Sequence, residues 1–121
     1  MKTFIISTAI FLALIAIIII NYIYINDSAD KLDDMAKAII PGSENIDESI
    51  TKLEKLWDKI RFKLELSTNH SLINEIGIKI SNIRLLANDS ANLQLTKELM
   101  LLREKIKELR RLERLSLENI F

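Results

Sequence analysis

The chain has 121 residues, room for one folded unit, and Lys plus Arg balance Asp plus Glu at 17 each, so no net field draws in nucleic acid or another polyanion. The lack of cysteine excludes disulfides, thiolate metal sites and cysteine nucleophiles. Two glycines and one proline amid abundant Leu, Ile, Lys and Glu predict an all-α fold with few turns.

No charged residue occurs between Thr3 and Ile25. At about 1.5 Å per residue this stretch reaches about 35 Å, enough for a hydrocarbon core of roughly 30 Å. Tyr22 and Tyr24 fall where an interfacial aromatic belt lies. The competing reading is a cleaved signal peptide, which needs a shorter apolar region and small residues at a processing site. Tyr22, Ile23, Tyr24 and Ile25 occupy that place instead, so the expectation is an uncleaved transmembrane anchor over residues 1–26 and a helical bundle over 27–121. Lys2 flanks one end of the span, whereas Asp27, Asp30, Asp33 and Asp34 follow the other. Positive-inside reasoning then puts the N-terminus in the cytoplasm and the bundle outside the cell membrane.

The acidic segment after the anchor repeats Leu32, Met35 or Ala36, and Ile39 at helical spacing, either as a short fourth helix or as the outward continuation of the membrane helix. Pro41 and Gly42 end it. Asn45, three residues before Glu48, resembles a capping box at the start of a long helix whose seam is Ile46, Ile50, Leu53, Trp57, Ile60 and Leu64. The run Ser67 to Ser71 is dense in cap-forming side chains and predicts a turn. The next helix carries Ile73, Ile76, Ile80, Ile83 and Ala87 on one stripe, with Gly77 marking a close helix contact. A turn at Asn88 to Ser90, with Asp89 or Ser90 as N-cap, leads to a last helix with Leu95, Leu99, Leu102, Ile106 and Leu109 in register. Short connections require these amphipathic helices to pack antiparallel, in a small bundle of three to four helices.

Trp57 and His70 are the chain's only tryptophan and only histidine. Trp57 lies on the seam and is expected in the core, and His70 is expected as a neutral structural residue in the first tight turn, near a helix start. One histidine and no cysteine predict no metal centre, and a carboxylate set of Glu65, Glu75 and Asp89 has no diagnostic spacing. No phosphate loop or nucleophile elbow occurs, so neither an enzyme nor a bound cofactor is expected. Two features suit an interaction surface. Phe62 and Leu66 point away from the Trp57 seam, with cover from elsewhere in the chain as the expectation and the bilayer or another chain as alternatives. Arg103, Lys107 and Arg111 step by four along the last helix, with Arg110 and Arg114 nearby, a row suited to anionic headgroups or wall polymers unless it is a solvated face balanced by Glu104, Glu108 and Glu113. Three N-x-S matches at Asn26, Asn69 and Asn88 are read as chance, since two fall in turns that want Asn and Ser as caps.

The N-terminal membrane helix, Trp57, the His70 turn, the Asp89 turn, Glu98-Leu99 and the closing S-L-E-N-I-F together resemble a bacterial family of short membrane-anchored helical proteins known only as a domain of unknown function. The chain departs from that pattern after His70, where Leu72 and Asn74 stand in place of acidic residues. The resemblance implies a membrane-anchored helical architecture and carries no activity. The expected role is that of an accessory or scaffold whose partners are the lipid bilayer and another membrane or envelope protein, with a small-ligand or lipid-binding module as the alternative.

Overall fold

A computed structural model describes residues 1–67, 69–89 and 91–120. It contains four helices: α1 (Lys2–Ala38), α2 (Ile46–Ser67), α3 (His70–Asn88) and α4 (Asn92–Ile120). Of the two readings open for the acidic segment, the structure takes the continuation. α1 crosses residues 26 and 27 without a break; its first five turns carry an exposed apolar sleeve, and from Ile25 onward it buries Ala29, Leu32 and Ala36 in the core. Among the described residues it is the one helix long and apolar enough to cross a membrane, which by length and composition alone fits an anchor or a signal sequence.

The chain reverses where Pro41 and Gly42 predict. The Ser43 N–H donates to the Ile40 carbonyl at 3.1 Å, and Gly42 has φ of 83°, so Pro and Gly hold the two central places of a type II turn. The Ser49 N–H then donates to the Asn45 carbonyl at 3.0 Å as α2 begins. α3 is capped by Asn69, whose side-chain oxygen accepts from the N–H groups of Ser71 at 2.8 Å and Leu72 at 3.3 Å.

The α3–α4 turn differs from expectation. Asp89 closes α3, its N–H donating to the Leu86 carbonyl at 3.2 Å, and the Leu95 N–H donates to the Ala91 carbonyl as α4 starts. Asp89 therefore sits at the carbonyl end of a finished helix rather than at the N–H end of a new one. Ser90, the alternative cap, lies outside the described residues, as does Phe121.

Each helix packs on its two neighbours around a square: α1 on α2 and α4, α3 on α2 and α4. Side-chain pairs fix the directions. Asp30 meets Arg110 and Asp33 meets Arg103, so α1 and α4 run antiparallel; Glu54 meets Arg84 across α2 and α3, and Glu75 meets Lys105 across α3 and α4. The result is an up-down-up-down bundle. Its core holds Ile50, Leu53, Trp57, Ile60 and Leu64 of α2, Ile73, Ile76, Ile80 and Ile83 of α3, and Leu95, Leu99, Leu102, Ile106 and Leu109 of α4. These are the residues that the alternating steps of four and three select.

Candidate functional site

The antiparallel order gives the bundle two ends. The α1–α2 and α3–α4 connections lie at the end remote from the apolar sleeve, while the α2–α3 turn and the last turns of α4 lie beside the sleeve, at the level of Tyr22 and Tyr24.

Trp57 is buried as expected, and the contact predicted at Gly77 is with its indole: a methyl group at Gly77 would lie 3.4 Å from Trp57 Nε1. His70 opens α3 with an exposed side chain, and the capping is done by its neighbour Asn69. Trp57, Gly77 and His70 line a shallow cleft of about 800 Å³ between α2 and α3, with Glu54, Arg61 and Asn74 along its walls. The carboxylates of Glu65 and Glu75 are engaged separately, by Arg61 at 3.9 Å and Lys105 at 2.9 Å, and Asp89 belongs to the opposite end of α3. Among the described residues no group of three His, Asp or Glu side chains could hold a metal ion.

The intramolecular cover expected for Phe62 and Leu66 does not form. They are 67% and 74% exposed, because α1 and α3 occupy the two flanks of α2 and no described helix packs on its outer face. The basic row divides. Arg103 turns inward, its Nε donating to Asp33 Oδ1 at 2.9 Å, and Lys37 approaches the same carboxylate at 3.3 Å. Burial pushes the Asp33 carboxyl up, but hydrogen bonds and charge from Arg103 and Lys37 outweigh it and hold it below the usual carboxylate range. Lys107 pairs with Glu104 of its own helix at 3.7 Å, and Arg111 is left exposed.

Two groupings were not legible as sites in the sequence, and a third was legible only as its basic half. At the remote end Arg84 ties α3 to α2, binding Glu54, Asp47 and the Thr51 hydroxyl, and its pKa is raised by Glu54 first and Asp47 second, against burial. In the bundle's middle, Lys79 and Asn82 both reach Glu98, at 3.3 and 3.5 Å. Beside the sleeve, α1 and α4 leave a cleft of about 370 Å³ lined by Tyr22, Asn26, Lys107, Arg110, Arg111 and Arg114. The signal for this last grouping was a set of arginines one turn apart, but its meaning depends on α1 continuing into the bundle.

Comparison with protein-family models, with curated proteins and with solved structures finds no match to this chain. The family resemblance therefore rests on the quoted motifs alone.

Proposed function

We propose that this chain is a single-pass membrane protein whose extracytoplasmic bundle binds another envelope protein and acts as an accessory or scaffold. The anchor reading is supported by the unbroken passage of α1 from apolar sleeve to core, and by the bulky Tyr22 to Ile25 standing where small residues of a processing site would directly follow the apolar run. The observation that carries the binding role is apolar surface that the core does not use. Ile78 and Leu85 on the outer face of α3, and Leu93 and Met100 on that of α4, are 49%, 63%, 84% and 64% exposed. Exposed apolar side chains grouped away from the membrane end are a feature of surfaces that await a partner. The clefts are shallow and rimmed by charge, which favours this reading over a small-ligand pocket. It includes no enzymatic step and no cofactor.

Crosslinking in intact membranes followed by affinity recovery tests the proposal. One stoichiometric partner should be recovered with the native chain and with His70→Ala, and be lost with Leu85→Glu or Leu93→Glu while helicity is unchanged. Recovery of no such partner, or equal recovery with both glutamate variants, would overturn it.

A further inference from the structure

The end of the bundle beside the sleeve gathers basic and aromatic side chains. From Thr3 to Ile20, roughly 18 residues and about 27 Å of helix against a hydrocarbon core of roughly 30 Å, α1 is exposed at every position except the half-buried Ile15 and Ile18. Beyond that point Asn21 and Tyr22 are already half-buried against the bundle, and no linker separates the two. A bilayer that swallows the sleeve therefore brings its headgroups level with Tyr22, Tyr24 and the last turns of α4.

The cleft at that level is cationic. Arg110 uses one terminal nitrogen on Asp30, while its buried Nε–H finds no acceptor among the described residues. Lys107 has Glu104, and Glu113 has a partner of its own. Arg111 and Arg114 form no ion pair among the described residues, and both line the cleft with Tyr22 and Asn26. On the far side of α1, Lys63 of α2 places its ammonium 4.9 Å from the Tyr24 ring centroid. Phe62 and Leu66 flank that lysine on α2, exposed at the same end.

We infer that this cleft seats the headgroup of an anionic phospholipid, with Arg111 and Arg114 on the phosphate, Tyr22 at the edge of the acyl region, and Phe62 and Leu66 resting on lipid across the bundle. Guanidinium groups match phosphate oxygens in geometry and charge, and basic side chains beside a membrane span are drawn to anionic lipid. The inference rests on the anchor reading but not on the partner.

The test places the full chain in nanodiscs of phosphatidylcholine, with and without phosphatidylglycerol, and follows amide exchange along α4. Exchange over the turns holding Arg111 and Arg114 should slow about fivefold in the anionic discs, and added salt should reverse it. The double variant Arg111→Gln with Arg114→Gln should lose the effect, whereas Lys52→Gln with Lys97→Gln, at the remote end, should keep it. Inorganic phosphate added to phosphatidylcholine discs should leave exchange unchanged. Protection indifferent to lipid charge, equal loss in the remote variant, or protection by free phosphate alone would overturn the seat while the anchor stands. A chain that does not remain in the disc would overturn both.

Discussion

Asp33 is the most informative single residue in the bundle. It is a nearly buried carboxylate on α1, held by Arg103 across the helix interface and by Lys37 one turn along. Asp33→Asn keeps the shape and removes the charge, so it should destabilise the fold by about 1–3 kcal/mol at neutral pH. Because the folded-state pKa is depressed, this contribution is complete above the unfolded value of about 4 and is lost as pH falls through the folded value, which lies below 3.8. Thermal unfolding of the two proteins in detergent should differ most above pH 4 and converge in stronger acid; a constant gap would mean that Asp33 is not the titrating group. The sequence could not disclose this pair. Arg103 and Asp33 are separated by most of the chain, and the row Arg103, Lys107, Arg111 looks uniform until α1 is laid against it.

At the scale of elements, the contact between α2 and α3 turns on Gly77. A glycine inside a helix costs about 0.5–1 kcal/mol relative to alanine, and a methyl group here would meet Trp57 Nε1 at 3.4 Å, an ordinary contact distance. Gly77→Ala should therefore raise the unfolding midpoint by a few degrees, whereas Gly77→Leu should push the indole out and red-shift its fluorescence. Equal destabilisation by both would show that the helices are closer than this geometry allows. The seams of α2, α3 and α4 were legible because periodicity selects buried positions whichever neighbour covers them. The α3–α4 cap was not, since Asn, Asp and Ser serve either end of a turn and only backbone geometry decides that Asp89 closes α3. Phe62 and Leu66 were legible as misplaced, but their place in the whole was not.

For the molecule as a whole, the decisive feature is the helix shared by sleeve and bundle. Seven added residues of uncharged, helix-forming sequence between Ile20 and Asn21 would lengthen α1 by about 10 Å and turn the bundle by only about 20°. That lift equals the screening length at moderate salt, about 10 Å, so the lipid-dependent protection of α4 should fall toward its value in zwitterionic discs while the bundle's unfolding midpoint stays put. Undiminished protection would mean that the basic cleft is not what senses the surface. A shared helix also makes the bundle a stiff arm. The part of α1 beyond Ile20 is about 27 Å long, and transmembrane helices lean by about 20° on average, so under the proposed anchoring the remote end carrying Leu85 and Leu93 would be carried sideways by about 9 Å. A thicker bilayer stands the helix more upright and draws that reach in. Where the outer face of α3 can meet a neighbour would then be set by the thickness of the membrane below it.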